Sequence, residues 1–155
     1  MQSTSEPPLN PAPRRISTRP PRDKLVRAIT YGTYDMFHVG HVNLFRRIRA
    51  RCDHLIVAVS SDEFNALKGK KSVMSFEDRS LLVRSCRYVD EVIAEHNWEQ
   101  KEADIKTHAV DLFVMGGDWE GRFDHLSAVC EVVYLPRTEG ISSTQLKETV
   151  AAQRR

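Results

Sequence analysis

The chain has 155 residues, enough for one domain with a sizeable core, and 41% of them are hydrophobic. Its formal net charge of +2 arises within residues 1–23, where four arginines outnumber Glu6 and Asp23, so the rest of the chain is neutral. A neutral domain gives no reason to expect nucleic-acid binding, and no apolar run approaches the ~18 residues that a membrane helix needs.

Residues 1–23 are predicted to form a disordered tail. Six of the seven prolines lie between positions 7 and 21, with Ser, Thr and Arg between them. Proline fixes its own φ and disfavours helix in the residue before it, and this segment has almost nothing apolar to bury. We therefore place the start of a single folded domain at residue 24 and assign residues 24–155 to it.

The three cysteines, Cys52, Cys86 and Cys130, are far apart, and none belongs to a C-x-x-C pair. This spacing indicates neither a disulfide framework nor a zinc site. Space-filling reduced thiols of this kind are typical of the cytoplasm, which is the expected location.

From Lys24 onward, apolar segments rich in β-branched residues alternate with segments of helical periodicity. The predicted strands, in chain order, are LVRAITYG, HLIVAVS, DEVIAE, DLFVMGG and EVVYLP. The predicted helices are VNLFRRIRARC, SFEDRSLLVRSCRYV, WEQKEADIKTHAV, FDHLSAVC and SSTQLKETVAAQ. Such alternation predicts an α/β fold with a five-stranded parallel sheet covered by helices on both faces. Because ligands bind at the carboxyl ends of parallel strands, the site is expected in the loops that follow the strands.

The loop after the first strand, within YGTYDMFHVGH, contains two histidines. His38 and His41 are three residues apart at a predicted helix start, where free N–H groups and the helix dipole favour an anion. Gly40 would let a phosphate approach the backbone closely. A metal site needs more ligands, and the other histidines show no ligand-like spacing. The sequence favours phosphate contact, with a metal pair and two structural histidines as the alternatives.

Basic residues follow the second strand. Lys68 and Lys70, in LKGKKS, are flexible point charges on the ligand side of the sheet, although a lysine-rich loop is often only solvated. Arg79 and Arg87 are eight residues apart on the helix predicted over 75–88 and would share one face. They are either anion ligands or surface charges.

Polar groups also follow the fourth and fifth strands. In MGGDWEG, Asp118 could accept from a hydroxyl or ring amine, and Trp119 could stack on a ligand or simply pack in a tight turn. In LPRTEGISSTQL, an arginine and hydroxyl groups at a helix start predict a second anion site or a plain serine cap. The residues concerned are Arg137, Thr138, Ser142 and Ser143. Together, these loops predict a site for phosphate-rich substrates handled by charge and positioning.

These segments resemble the cytidylyltransferases. YGTYDMFHVGH is similar to the strand-loop-helix of that family with its H-x-G-H signature, and RTEGISS is similar to its second signature. RYVDEVI, NWEQK and VMGGDWEG extend the resemblance from about residue 26 to 150, and it points to members that act on glycerol 3-phosphate. It implies a Rossmann-like nucleotidyltransferase fold and a cytidylyl transfer from CTP to sn-glycerol 3-phosphate, with Mg²⁺. The products would be CDP-glycerol and pyrophosphate, formed by in-line attack without a covalent intermediate.

The resemblance also implies roles for individual residues. The catalytic residues would be His38, His41, Lys68 and Arg137. The CTP-binding residues would be Thr33, Tyr34, Asp35, His38, Gly40, His41, Arg87, Asp118, Trp119, Arg137, Thr138, Ser142 and Ser143. The acceptor-binding residues would be Lys68, Lys70 and Arg79, and no metal site on the protein is implied. A homodimer and the use of the CDP-alcohol for a cell-wall polymer such as teichoic acid are further implications.

Three positions depart from the family pattern without removing a catalytic group: Tyr34 replaces a usual phenylalanine, Ser143 replaces a usual threonine, and Gly117 stands where a polar residue is common. Alternative activities are transfer to another phosphorylated alcohol, such as ribitol or ethanolamine phosphate, and adenylyl transfer to a flavin or sugar phosphate. A non-catalytic nucleotide-binding protein is a third alternative. The presence of both histidines, Lys68 and Arg79 argues against it.

Overall fold

The computed structural model describes residues 24–154. The tail predicted over residues 1–23 lies outside the described residues, so its disorder and the domain boundary stay predictions. No helix within 24–154 is long and apolar enough to cross a membrane.

The described residues contain one sheet of five strands, all parallel, in the order β3-β2-β1-β4-β5. The strands are β1 (Arg27–Gly32), β2 (His54–Ser60), β3 (Glu91–Glu95), β4 (Leu112–Gly116) and β5 (Glu131–Leu135). Each lies within a segment that the sequence predicted to be a strand. The parallel five-stranded sheet is therefore confirmed.

The helices are α1 (Val39–Arg49), α2 (Asp62–Leu67), α3 (Phe76–Ser85), α4 (Gln100–Thr107) and α5 (Ser143–Gln153). The sequence did not predict α2, which spans six residues and is too short to show a helical period. The predicted helix in FDHLSAVC is a 3₁₀ helix, Asp124–Ala128. A second 3₁₀ turn, Gly117–Trp119, follows β4.

Apolar side chains cover both faces of the sheet. On one face, Phe45 of α1 and Val83 of α3 belong to a buried cluster with Val57 of β2. On the other face, Ile105 of α4 packs in a cluster that includes Phe113 of β4. Burying one such side chain stabilises the fold by about 1.5–3 kcal/mol. Helices on both faces, as predicted, are therefore confirmed.

The strand order determines where ligands can bind. The chain builds outward from β1 through β2 to β3, and then crosses back to place β4 on the other side of β1. The loops after β1 and β4 leave the sheet in different directions, and this separation opens a crevice at the carboxyl edge.

Candidate active site

Two adjoining cavities open at the carboxyl edge of the sheet. The larger cavity, of about 480 Å³, lies among the loops after β1, β2 and β3. The smaller cavity, of about 290 Å³, lies between α1, the ends of β4 and β5, and the start of α5. The residues that line both are Tyr31, Tyr34, His41, Met115, Trp119, Arg137, Ser143 and Thr144. The two cavities therefore form one groove, with His41 and Arg137 where they meet.

The two histidines cap the start of α1. His38 is the N-cap residue, and its Nδ1 accepts a hydrogen bond from the Gly40 amide at 3.0 Å. The His38 amide donates to Nδ1 of His41 at 3.2 Å, which closes a reciprocal capping box. Free amides at this helix start were predicted to favour an anion. The Gly40 amide is not free, because an imidazole nitrogen already accepts its N–H.

Both imidazoles are neutral donors in this arrangement. Because each Nδ1 accepts a hydrogen bond, each ring carries its proton on Nε2. Burial lowers the pKa of His38. Burial, followed by the neighbouring His38, lowers the pKa of His41 to about 3, against an opposing effect of Asp35. The two rings stack with their centroids 3.8 Å apart, and Nε2 of His38 is buried without a partner among residues 24–154. Two adjacent N–H donors suit phosphate oxygens.

Glycines make room for two rings of the groove. A Cβ at Gly40 would lie 2.7 Å from Cε1 and 2.9 Å from Nδ1 of His38. A Cβ at Gly32 would lie 2.7 Å from Cζ of Tyr34, whose buried ring packs edge-on against His41 at 5.4 Å. A side chain at either position would therefore push the neighbouring ring from its place, which is a steric reason for glycine beyond any approach of a ligand to the backbone.

Asp35 links the loop after β1 to the segment before α3 and to helix α5. Its carboxylate is 3% exposed and accepts from the amides of Val73 and Met74 and from Nζ of Lys147 at 2.6 Å. Burial alone would raise the pKa of Asp35, but Lys147 and the two amides outweigh burial and hold that pKa low. Its backbone carbonyl accepts from Oγ of Ser143 at 2.6 Å. Asp35 lines the larger cavity, yet its carboxylate is engaged with protein groups, so it is a positioning residue.

The lysines after β2 reach the larger cavity, as the sequence predicted. Nζ of Lys68 lies 3.3 Å from Oγ of Ser60 and 4.2 Å from the centroid of the Phe64 ring. Burial lowers the pKa of Lys68 to about 8, with Glu95 opposing the shift. Lys70 lies beside it on the cavity wall. Positive charge is thus concentrated on this side of the groove.

Arg79 does not line either cavity, which corrects its assignment as an acceptor-binding residue. Its side chain is completely buried. Nη1 donates to the carbonyls of Thr33 and Ser60 at 2.7 and 2.8 Å, and Nη2 donates to Asp62 at 2.7 Å. Nε donates to the carbonyl of Met74 at 3.1 Å. The guanidinium joins the loops after β1 and β2 to the start of α3 and so supports the groove indirectly.

Arg87 is also not at the groove, so its assignment to CTP binding is not supported by its position. Helix α3 ends at Ser85, because the backbone of Cys86 is extended. Arg87 therefore follows the helix and is exposed, whereas Arg79 is buried, and the two do not share a face. The chain then enters β3 beside Leu55, at the amino ends of the strands and opposite the groove.

The loops after β4 and β5 meet at the smaller cavity. Asp118 and Trp119 line it, together with Arg137 and Thr138. Nη1 of Arg137 lies 3.3 Å from Oδ2 of Asp118, and both side chains are largely exposed. The sequence grouped these four residues correctly at one place in the fold.

The start of α5 forms the floor between the cavities. Oγ of Ser142 accepts from the Gln145 amide at 3.1 Å, so Ser142 serves as the serine cap that was the alternative reading. The hydroxyl hydrogen of Ser143 is donated to Asp35 and not to the groove. The amides of Ser143 and Thr144 lie in the first turn, where a helix offers no acceptor, and they are the groups suited to an anion.

A buried ion pair that the sequence did not predict lies at the bottom of the larger cavity. Nζ of Lys101 lies 2.7 Å from Oε2 of Glu95, and each side chain is 4% exposed. Oγ of Ser60 donates to the other carboxylate oxygen at 2.7 Å. The pair joins the end of β3 to the start of α4 across six positions of the sequence, and it is the fold that buries both charges. In the sequence, only the segment NWEQK points to this region, through its resemblance to the family.

Among residues 24–154, no three His, Cys, Asp or Glu side chains converge as metal ligands. The histidine pair of the H-x-G-H sequence instead presents two Nε2–H groups, since each Nδ1 accepts from a backbone amide. Neutral donors, a half-buried lysine and a helix start arranged around one groove can bind a chain of phosphates and stabilise charge that develops on it.

This sheet order, with H-x-G-H at the β1–α1 turn, defines a nucleotidyltransferase fold. The chain belongs to the cytidylyltransferase-like family, whose model matches residues 29–149. It is 58% identical over 125 residues to a glycerol-3-phosphate cytidylyltransferase of Bacillus subtilis, covering 81% of this chain and 97% of that protein. It is 57% identical over 122 residues to a protein of the same name from Staphylococcus aureus, covering 79% of this chain and 92% of that one.

A solved structure shares the fold. The crystal structure of a lipopolysaccharide core biosynthesis protein from Thermoplasma volcanium superposes with a TM-score of 0.64 at 20% identity. The match covers 75% of this chain and all of that chain. At this identity the similarity concerns the fold alone.

Proposed function

We propose that this protein transfers the cytidylyl group of CTP to sn-glycerol 3-phosphate, giving CDP-glycerol and pyrophosphate. The observation that carries this proposal is the identity of more than half of the residues with two glycerol-3-phosphate cytidylyltransferases, over nearly their whole length. The groove supports it independently, because it has one cavity for each of two substrates and phosphate-binding groups where they meet.

CTP fits the smaller cavity. Asp118 and Trp119 would meet the nucleoside, with Thr138 and Arg137 beside them. The triphosphate would then run along Arg137 and the first amides of α5, where a guanidinium and a helix start attract anions. The α-phosphate would then lie near the histidine pair.

Glycerol 3-phosphate fits the larger cavity. Its phosphate would lie between Lys68 and Lys70, close to the junction with the smaller cavity. Lysine ammonium groups neutralise the repulsion between the acceptor phosphate and the triphosphate of CTP. The alcohol end would then point toward Trp98, Glu95 and Lys101.

The reaction forms one bond and breaks another at the α-phosphorus of CTP. An oxygen of the acceptor phosphate attacks, and pyrophosphate leaves in line with the electron pair of the broken bond. Such an oxygen is already deprotonated at neutral pH, so no strong general base is needed. His38 and His41 donate Nε2–H bonds to the oxygens on which charge develops, while Lys68 and Arg137 hold the two substrates in position.

Mg²⁺ would enter as part of the nucleotide substrate, bound to its phosphates. The carboxylates near the groove have other partners: Asp35 is paired with Lys147, Glu95 with Lys101, and Asp118 with Arg137. The protein therefore supplies the cations and N–H donors that surround the metal-bound triphosphate.

A homodimer, a cytoplasmic location and the supply of a cell-wall polymer such as teichoic acid remain predictions from the resemblance. Sedimentation velocity of the purified chain tests the first, and a single species at the monomer mass would contradict it. The other two concern the cell, and the supply of a cell-wall polymer depends on the product being CDP-glycerol.

The decisive experiment measures pyrophosphate release from each of four NTPs with a panel of phosphorylated alcohols. We expect release with CTP, glycerol 3-phosphate and Mg²⁺, and little release with the other combinations. The variant His41→Ala controls for contaminating activity. Equal or greater release with ATP, or with ribitol or ethanolamine phosphate, would contradict the substrate assignment. No release with any pair would indicate a nucleotide-binding protein without turnover.

A further inference from the structure

The ammonium group of Lys101 lies in an aromatic cage formed by Tyr31, Trp98 and Phe123. Its Nζ is 4.7 Å from the ring centroid of Tyr31, 5.0 Å from that of Trp98 and 5.3 Å from that of Phe123. Ammonium groups within about 6 Å of ring centroids are attracted by the negative face of the ring, and proteins use such cages to recognise alkylammonium ligands. All four residues line the larger cavity.

A carboxylate completes this cage. Oε2 of Glu95 is 2.7 Å from Nζ of Lys101, while Oε1 accepts from Ser60. Three rings and one buried carboxylate constitute a binding site for a single positive charge. In this protein the side chain of Lys101, which enters from the first turn of α4, occupies that site.

A further positive charge cannot be accommodated there at low cost. Lys68 already brings a second ammonium close to the cage, with Nζ 5.5 Å from the centroid of the Trp98 ring. Glu95 is the one carboxylate in contact with Lys101 among residues 24–154. Like charges a few ångströms apart in a partly buried site repel strongly, and repulsion against the wrong ligand is an effective source of specificity.

We infer that Lys101 determines acceptor specificity: by placing its own ammonium in the cage, it excludes phosphorylated alcohols that carry a positive charge. The acceptors left are those with a neutral, hydroxylated end, which can hydrogen-bond near the Lys101–Glu95 pair. This inference rests on the proposed function, since it assumes that the alcohol end of the acceptor enters the larger cavity.

A purely structural role for the ion pair makes a different prediction. If Lys101 only stabilised the fold, its replacement would lower kcat/KM for every acceptor by a similar factor. A specificity role changes the ratio of kcat/KM between a cationic and a neutral acceptor. The ratio is therefore the quantity to measure, with ethanolamine phosphate as the cationic probe and glycerol 3-phosphate as the neutral one.

The test compares Lys101→Ala with Lys101→Arg. The alanine variant empties the cage and leaves Glu95 to pair with the ammonium of ethanolamine phosphate. We expect the ratio of kcat/KM for ethanolamine phosphate to that for glycerol 3-phosphate to rise by at least ~10-fold, the usual size of a desolvated cation–π contact. The arginine variant keeps the charge, and its ratio should stay within ~3-fold of the parent. An unchanged ratio in the alanine variant, or an equal rise in both variants, would overturn the inference.

Binding gives a readout that does not depend on turnover. Trp98 and Trp119 are the two tryptophans of the chain, and both line the larger cavity. Titrating tryptophan fluorescence with ethanolamine phosphate should give a lower Kd for Lys101→Ala than for the parent, by at least ~10-fold. If the parent releases no pyrophosphate with glycerol 3-phosphate, the proposed function fails, and this titration still decides the role of Lys101.

Loss of the ion pair could impair folding of the alanine variant. Lys101→Met then serves as the second variant, because it keeps most of the volume between the rings while removing the charge. It should raise the same ratio by at least ~3-fold, since repulsion alone is relieved. Two folded neutral variants that both keep the parent ratio would refute the inference.

Discussion

The substitution Gly40→Ala should change the geometry of the histidine pair while leaving the stability of the helix that holds it almost unchanged. Alanine favours helix over glycine by up to ~1 kcal/mol, and position 40 is the second residue of α1. The new Cβ, however, would lie 2.7 Å from Cε1 of His38, where ordinary contact begins at 3.4 Å. The ring must therefore move by ~0.7 Å, the difference between these two distances.

The surroundings leave the ring no easy way to move. His38 stacks on His41 at 3.8 Å, and a shift breaks the bond from the Gly40 amide to Nδ1. Losing a cap costs about 1 kcal/mol, which offsets the gain in helix propensity. Stability should then change little, whereas a displacement of this size at a reacting centre costs roughly 100-fold in kcat.

Two measurements and one control test this prediction. Pyrophosphate release at saturating substrates gives kcat, and urea unfolding gives the free energy of unfolding. The control is Gly40→Ala in a His38→Ala background, where no ring remains to clash and the substitution should stabilise the protein without a further loss of kcat. A kcat within ~3-fold of the parent for Gly40→Ala alone would refute the steric argument, and so would an equal loss in the control background.

Three further predictions concern single side chains. His41→Ala should lower kcat by roughly 100- to 1000-fold, the usual loss for one transition-state donor, and a loss below ~10-fold would remove His41 from the reaction. Lys68 must be protonated to bind phosphate, so kcat/KM should fall as the pH rises through about 8. The variant Lys68→Arg should shift this alkaline decline above pH 10. An unchanged decline in the variant would assign the titration to another group. Arg79→Met removes donors from the buried carbonyls of Thr33 and Ser60 and should lower the free energy of unfolding by ~3 kcal/mol or more in urea; a change under ~1 kcal/mol would contradict its structural role.

The sheet could be predicted because the buried residues of its strands form apolar segments that are visible in the sequence. The segment HLIVAVS was predicted as a strand and is β2, since a strand covered on both faces is a continuous apolar run. Helix α2 was missed because its six residues are bounded by a serine cap and a lysine-rich loop, without room for a helical period. Helix α5, by contrast, was predicted although it contains no buried residue, because it is eleven residues long and begins with a serine cap.

The residues of the site were harder to predict from the sequence than the strands of the sheet. The loops after the strands meet around one groove, as expected, because topology alone brings strand ends together. The role of a charged residue could not be predicted in this way, because a sequence gives no sign that a charge is buried. Arg79 and Lys101 are both surrounded by protein. The capping by His38 was also unexpected, since side-chain oxygens are the usual N-caps.

Helix α5 contributes no buried residue to the described structure, and its links to the β1–α1 loop pass through Asp35. A helix held by polar contacts can detach locally at a cost far below that of global unfolding. Amide hydrogens of α5 should therefore exchange with solvent faster than those of β1 or β2, and bound nucleotide should slow them. Bound nucleotide therefore not only fills the groove but also helps to hold α5 against the rest of the domain.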